Sequence, residues 1–246
     1  MKMNDAKTEY IQFGSVRQLD KCESTMINCN GTAVKKTNCI KHLGAYLDKT
    51  VSMRQHITQK SRAAAINLQK IRIIRKYLTQ EAAQILVSGL VTSHLDYANA
   101  ILYGLRECEI KKYQRLQNFA AKNILGISKY DSSRDALKQL HWLPIRLRIV
   151  FKIAVLVFKC INGIAPTYFF DLLQPKTIRR EGLRSESTAK SDSEPQWNNR
   201  KTFADRAFSH SGPLIWNTIP VVLRDTVSLK TFKAGQKRIF LFVIKL

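Results

Sequence analysis

The chain has 246 residues, enough for one large domain or two small ones. Apolar residues make up 45% of the sequence, so a buried core can form and wholesale disorder is excluded. The 41 lysines and arginines outnumber the 18 aspartates and glutamates and give a net charge of +23. The excess is spread along the whole chain, which excludes a neutral domain with a basic tail and is typical of proteins that lie along a polyanion.

The cysteines and the apolar stretches indicate the compartment. Five cysteines occur and the start of the chain is polar, unlike a signal peptide, so we expect reduced thiols in an intracellular protein of the nucleus or cytoplasm, not a secreted one. The most apolar stretch, 149–161, is too short to span a membrane and includes two lysines, so no membrane partner is expected. The alternative of a zinc site is disfavoured, because its candidate ligands match no common ribbon or finger spacing; these are Cys22, Cys29, Cys39 and His42.

Residues 1–51 have the pattern of short β-strands. The run 9–13 alternates, and Asn30-Gly31 between two β-type runs is the strongest short signal for a β-hairpin. A third run, 40–48, ends this section. We predict an α+β fold in which this short N-terminal hairpin or partial sheet precedes a mostly helical remainder.

Helical periodicity begins at residue 52. Ser52 with Gln55 indicates a capping box at the start of a first helix, and further helices are predicted over 79–95 and 109–125. The apolar face of the first helix consists of Met53, Ile57, Ala64, Leu68 and Ile71. Residues 52–126 therefore form one helical region.

Helical signals continue beyond this region. Ser132, Pro144 and Pro166 each stand at the start of a further helix or turn. We divide the rest of the chain into a helical C-terminal extension, a serine- and charge-rich linker and a C-terminal segment, at residues 127–175, 176–200 and 201–246. Among the tryptophans, Trp142 and Trp216 are predicted to lie in the core, and Trp197 in the linker is a candidate for stacking on bases.

Two rows of basic residues follow helix faces in the region 52–126. The first row consists of Arg54, Arg62, Arg72 and Lys76, and the second of Lys111, Arg115 and Lys122. For a single helix the ordinary explanation is a solvated face. Because such rows recur in a chain of charge +23, we predict that these residues contact the phosphate backbone of a nucleic acid.

The sequence contains few signs of catalysis. No two acidic residues are adjacent, and neither a glycine-rich phosphate loop nor a Gly-x-Ser-x-Gly turn occurs. His141 and His210 have no acid or nucleophile at a useful spacing, and packing or capping explains His141 better. We therefore predict no catalytic residue and no metal ligand in this chain.

Several different short motifs are distributed along nearly the whole chain. Asn-x-x-Lys-Thr-Glu occupies residues 4–9, and Leu-Gly-x-x-Leu-Asp occupies residues 43–48. Six further short motifs follow along the chain, at residues 93–104, 116–121, 140–144, 162–166, 205–208 and 214–217. Each motif alone is weak, but together they resemble the C-terminal part of the reverse transcriptases of LINE-type, non-LTR retrotransposons of the jockey-like group.

The resemblance implies a function for each part of the chain. Residues 1–51 would be the end of the palm, 52–126 a thumb-like region, and the remainder a C-terminal extension. The primer-grip-like residues, near the primer end, would be His42, Leu43, Gly44, Tyr46 and Leu47. The implied parent activity is RNA-directed DNA synthesis with Mg²⁺, and the implied partners are an RNA template and a DNA primer or target.

The resemblance also identifies what the chain lacks. Reverse transcriptases of this family hold two metal ions on palm aspartates, which include a Tyr/Phe-Ala-Asp-Asp motif. Residues 203–206 read Phe-Ala-Asp-Arg, but this segment is a decoy, because arginine replaces the second aspartate and the segment matches the C-terminal motif at 205–208 instead. We expect the true motif upstream of residue 1, and this chain to be inactive alone and without a cofactor of its own. The alternatives are a non-functional remnant or truncated gene model, and a basic protein co-opted to bind host RNA or proteins.

Overall fold

The computed structural model describes residues 8–21, 27–29, 31–175, 193–194 and 204–245. It is mostly helical with short strands in its N-terminal part, which confirms the predicted α+β class. Most of the predicted linker, including Trp197, lies outside the described residues.

The predicted N-terminal hairpin is present. In chain order the first elements are β1 (Glu9–Tyr10), α1 (Val16–Lys21), β2 (Asn28–Cys29), β3 (Thr32–Ala33) and β4 (Lys35–Lys36). β2 and β3 are antiparallel, and Gly31 between them has a φ of 81°, as the Asn-Gly signal requires. β1 pairs in parallel with β4.

A second hairpin follows, where the sequence predicted a single run over residues 40–48. The β character of this run is confirmed, and the structure divides it into β5 (Cys39–His42) and β6 (Ala45–Asp48), which form an antiparallel pair. The chain reverses at Leu43 and Gly44, whose φ values are 44° and 82°. A Cβ atom on Gly44 would lie 2.7 Å from the hydroxyl oxygen of Tyr97, so any larger residue here would displace that tyrosine.

The start of helix α2 (Arg54–Ile74) is capped by a residue that the sequence analysis did not select. The predicted capping box at Ser52 is wrong, because no side chain caps the helix from the N-cap residue Met53. Instead, the carboxylate of Asp48 accepts hydrogen bonds from the backbone N–H groups of Ser52 (3.0 Å) and Met53 (2.8 Å). Burial alone would raise the pKa of Asp48, but these bonds and one from the Thr50 hydroxyl outweigh burial and hold that pKa below its ordinary value.

Substitution of this carboxylate has an expected pH signature. Asp48→Asn should lower the free energy of unfolding near neutral pH by about 1–2 kcal/mol, as loss of a helix cap does. Since the folded-state pKa is depressed, the stabilisation is present above the unfolded-state pKa of about 3.9 and is lost as the pH falls through the folded-state pKa. Urea unfolding of both proteins from neutral to strongly acidic pH measures the difference. A difference that stays constant over this range would contradict the assigned role of Asp48.

The middle of the chain follows the predicted helical order. Its elements are a 3₁₀ turn (Arg75–Tyr77), α3 (Gln80–Val87), a π-helical turn (Ser88–Thr92), α4 (Ser93–Asp96), a 3₁₀ turn (Asn99–Leu102), α5 (Glu107–Leu125), α6 (Ser133–Gln139) and α7 (Ile145–Ile161). The predicted helix 79–95 is therefore interrupted by the π-helical turn. Helix α5 begins two residues earlier than predicted and ends at Gly126, which has a φ of 68°.

Helices also dominate the C-terminal part that the structure describes. A 3₁₀ turn (Thr167–Leu172) leads into β7 (Gln174–Pro175), which pairs antiparallel with β8 (Ser193–Glu194). A 3₁₀ turn (Ala204–Arg206) then precedes α8 (Phe208–Asn217), α9 (Val221–Arg224) and α10 (Leu229–Lys245).

One hydrophobic core joins the helical region to the C-terminal helices. The predicted apolar row of α2 is buried in it, and Trp142 and Trp216 lie there as predicted, at 8% and 1% exposure. The fully buried rings of Phe158, Trp216 and Phe232 come from α7, α8 and α10, with centroids 4.4 to 6.5 Å apart. The C-terminal segment is therefore packed against the helices that precede it.

Arg206 provides a polar link between the C-terminal segment and the start of α2. Its guanidinium group donates hydrogen bonds to the carbonyl oxygens of Val51 (2.9 Å) and Tyr103 (3.2 Å). This arginine is the residue that stands in place of the second aspartate in the Phe-Ala-Asp-Arg segment. Its structural contacts give it a role in holding the fold together.

Candidate functional site

Helices α2 and α5 lie side by side and run in the same direction. At their first turns, Nε of Arg54 lies 3.2 Å from a carboxylate oxygen of Glu109. At their last turns, the guanidinium group of Arg75 donates to the carbonyl oxygens of Asn123 and Ile124, each at 2.8 Å. The two predicted basic rows thus stand on neighbouring parallel helices, an arrangement that neither row reveals by itself.

Most of the predicted phosphate-contacting residues are accessible to solvent. Lys122 is half-buried, and the exposed ones are Arg54, Arg62, Arg72, Lys76, Lys111 and Arg115. The charge of Arg54 is partly balanced by Glu109, which also accepts a hydrogen bond from Lys112 at 2.8 Å. The hydrogen bond from Lys112 is the chief cause that holds the pKa of Glu109 below its ordinary value. Glu109 is therefore ionised. Because Arg54 is paired with it, Arg54 is less available for a phosphate than the other cations of its row.

A cleft of about 240 Å³ lies beside the C-terminal half of α5. It is lined by Arg115, Asn118, Phe119, Lys122, Lys129 and Ser133. The guanidinium carbon of Arg72 lies 5.7 Å from the centre of the Phe119 ring, so α2 also supplies a cation next to this cleft. We refer to these lining residues together with Arg72 as the basic cleft.

The basic cleft combines residues from both predicted rows with others that the sequence analysis missed. Arg115 and Lys122 line it, and Nζ of Lys122 donates to the carbonyl oxygen of Lys129 at 2.7 Å. Lys129 and Phe119 were not selected from the sequence. An aromatic residue between Arg115 and Lys122 on a polar helix face was the available signal for Phe119, whereas the position of Lys129 depends on the loop after α5.

Exposed aromatic rings near this end of α2 and α5 are accompanied by cations. Tyr77 is 77% exposed, with Nζ of Lys76 at 4.8 Å from its ring centre. Tyr130 is 85% exposed, with Nζ of the adjacent Lys129 at 4.8 Å. Basic groups interleaved with exposed aromatic rings are the pattern by which proteins bind single-stranded nucleic acids.

The primer-grip-like residues lie in the hairpin β5–β6 and differ in their exposure. Leu43, at the turn, is 82% exposed, and its carbonyl oxygen accepts a hydrogen bond from the hydroxyl of Tyr97. Leu47 packs against the core, His42 is exposed and Gly44 is half-buried. The backbone N–H of Tyr46 donates to Nδ1 of the buried His56 at 3.3 Å. The hairpin tip is thus held on the helical region.

Two lysines that the sequence analysis did not select stand next to this hairpin. Nζ of Lys60 lies 4.0 Å from the ring centre of Tyr97, and Nζ of Lys41 lies 5.8 Å from that of Tyr46. Partial burial, and secondarily the charge of Lys41, lower the pKa of Lys60. The hairpin therefore presents positive charge beside aromatic rings, although it lies on a different part of α2 from the basic cleft.

A larger cleft of about 990 Å³ lies near the start of α2 and includes residues from α5, α7 and α8. Several of its charged groups pair with one another. Arg54 is paired with Glu109, and His210 lies 3.6 Å from Asp205. These pairs reduce the positive charge that the larger cleft can offer to an anion, so it is the weaker candidate.

The described residues contain neither a metal-binding group nor a membrane-spanning helix. Across the described ranges, no group of three or more His, Cys, Asp or Glu side chains is placed to hold a metal ion. The magnesium implied for the parent enzyme would need such a group, and the described residues do not supply one. Within the same ranges, no helix is both long and apolar enough to cross a membrane.

Comparison of the chain with protein-family models, with curated proteins and with solved structures finds no match. Function is therefore inferred from the charge, the exposed side chains and the contacts described above. The basic cleft is the strongest of these features, because cations from both predicted rows converge there around an accessible aromatic ring.

Proposed function

We propose that this chain binds nucleic acid through the basic surface of α2 and α5, as the thumb-containing C-terminal part of a LINE-type reverse transcriptase. The basic cleft carries this proposal, because Arg72 from α2 lies beside the ring of Phe119 in the cleft that Arg115 and Lys122 from α5 line. If each row were only a solvent-exposed helix face, the two rows would not need to come together at one cleft.

The chemistry of the surface suits a phosphate backbone. Arginine offers a planar fork of donors to phosphate oxygens, and lysine offers a compact positive charge. The net charge of +23 adds long-range attraction to any polyanion. Such binding tolerates many sequences and weakens as salt rises, because each neutralised phosphate releases counterions.

The segments that carry the resemblance to reverse transcriptases contact one another in the fold. Tyr97 of the segment 93–104 donates to Leu43 of the Leu-Gly motif, and Nε2 of Gln117 donates to the carbonyl oxygen of Leu143 at 2.8 Å. Arg206 similarly binds Tyr103. The motifs thus serve mutual packing, which explains why they occur together. An RNA template, a DNA primer and nuclear action are the partners and setting that follow from this proposal.

Catalysis of DNA synthesis is not part of what we propose for this chain alone. Two-metal polymerisation needs paired carboxylates that position both ions and the attacking hydroxyl. The segment 203–206 only starts like the catalytic motif and matches the C-terminal segments instead, and its Arg206 is bonded to backbone carbonyls. The proposed contribution of the chain to the parent activity is therefore to hold the template–primer.

A salt titration tests the proposal. Anisotropy of a labelled RNA–DNA duplex of about 20 base pairs should give an association constant that falls linearly with salt on logarithmic axes, with a slope of about −5 for six neutralised phosphates. Six is the number of predicted contacts once the partly neutralised Arg54 is left out. A salt-independent association constant, or no binding at low salt, would overturn the proposal.

A further inference from the structure

Phe119 differs from the other residues on its face of α5. It lies between Arg115 and Lys122 in the sequence, is 39% exposed and is not part of the buried core. The ring of Phe119 lines the cleft. Arg72 lies beside the ring but is not one of the residues that line the cleft. One cation thus restrains the ring by a cation–π contact while the ring remains accessible from the cleft.

The other residues of the basic cleft are suited to the remaining parts of a nucleotide. Arg115, Lys122 and Lys129 supply positive charge around the ring for a phosphate. Oδ1 of Asn118 accepts a hydrogen bond from Gln114 at 2.8 Å, which orients the amide so that its nitrogen is the group able to donate to a base edge. Aromatic ring, amide and cations therefore lie within one cleft of about 240 Å³.

The accessible ring of Phe119 distinguishes between forms of nucleic acid. In a duplex the faces of the bases are covered by their neighbours, so an exposed phenyl ring has nothing to stack on. An unpaired base offers its face to such a ring, and this stacking tolerates any base. Cations alone would serve a duplex equally well, so the aromatic ring is the feature that requires a single strand.

We propose that the basic cleft binds an unpaired base of a single strand, with Phe119 as its stacking platform. This inference rests on the proposed function and narrows its ligand from nucleic acid in general to single-stranded RNA or DNA. The cations of the cleft can still contact the phosphates of a duplex, so the aromatic ring is what favours the single strand.

Binding of an oligonucleotide of about 12 nucleotides and of a matched duplex should be measured for the full chain and for Phe119→Leu. Loss of stacking should weaken single-strand binding about tenfold, within the range known for aromatic platforms, and should change duplex binding less than about twofold. Phe119→Tyr, which keeps an aromatic ring, should retain single-strand affinity. Phe242→Leu is the matched control, because Phe242 is an exposed phenylalanine of α10 at 63% exposure.

The outcomes separate this inference from the proposed function. If the wild-type chain binds nucleic acid with the expected salt dependence but Phe119→Leu leaves single-strand affinity unchanged, the stacking site is overturned and the proposed function stands. An equal loss for single strand and duplex also overturns the stacking site. If the wild-type chain binds neither ligand, both are overturned. Quenching of 2-aminopurine in the bound single strand by the wild-type chain, and its loss in Phe119→Leu, would support the stacking site directly.

Discussion

Replacement of Arg62, Lys111 and Arg115 with glutamine should weaken nucleic-acid binding by two to three orders of magnitude near 0.1 M salt, an estimate of about eightfold for each phosphate contact removed. The logarithmic salt slope should become less steep by about 3, because each contact contributes roughly 0.9 to it. These residues are exposed, and glutamine preserves side-chain length and helix propensity. Anisotropy titrations of a labelled duplex at several salt concentrations measure both quantities.

A matched control separates the surface from the total charge. Helix α10, which is far along the chain from α2 and α5, has three exposed lysines: Lys230, Lys233 and Lys237. Their replacement with glutamine removes the same amount of charge. The control triple should change the slope by less than about 1, as expected for residues that make no defined phosphate contact. Equal losses in the two triples would show that only net charge matters and would contradict a defined surface on α2 and α5.

The second large effect concerns stability. Trp216→Ala should lower the free energy of unfolding by about 3–5 kcal/mol, as removal of a large buried ring does. Trp216 is 1% exposed and meets Phe158 and Phe232, so the cavity would open where three helices join. Since a whole domain has only about 5–15 kcal/mol, a large share of its stability would be lost. Urea and thermal unfolding measure this, and Leu214→Ala, at a 42% exposed position of the same helix, should cost less than about 1 kcal/mol.

The same measurement addresses the alternative of a non-functional remnant. A remnant need not fold, and its thermal melt would be featureless in both the wild-type and the variant proteins. A cooperative wild-type transition that Trp216→Ala shifts to lower temperature or abolishes would support a stable module built around the shared core. A gradual wild-type melt would contradict the packing of α7, α8 and α10 and favour the remnant.

Local signals predicted those parts of the fold that depend on neighbours in the sequence. Helix α5 ends at Gly126, as its glycine indicated, and the hydroxyl of Ser132 accepts from the N–H of Asp135 at the start of α6. The start of α2 was mispredicted, because Asp48 reaches over the intervening loop and accepts hydrogen bonds from the backbone N–H groups of Ser52 and Met53. The turn at Leu43 was missed because leucine rarely takes positive φ, and a hydrogen bond from Tyr97, far away in the sequence, stabilises it.

The candidate site was only partly predictable for the same reason. Periodicity places Lys111, Arg115 and Lys122 on one face of one helix, but it contains no information on how two helices lie against each other. The pairing of Arg54 with Glu109 and the approach of Arg72 to Phe119 are contacts between helices, so they become visible only in the fold. The assignments of phosphate contacts and of a primer-grip-like hairpin stay predictions that the experiments above address.

The guanidinium group of Arg75 has an electrostatic consequence for the basic cleft. A helix carries a partial negative charge at its carboxyl end, where the last carbonyl oxygens lack partners, and α2 and α5 both end near this cleft. Such an end repels an approaching phosphate. Arg75 covers the last carbonyl groups of α5 with a full positive charge, so the helix dipole is cancelled where a polyanion would otherwise be turned away. The residue that fixes how two helices pack thereby also makes their common end attractive to anions.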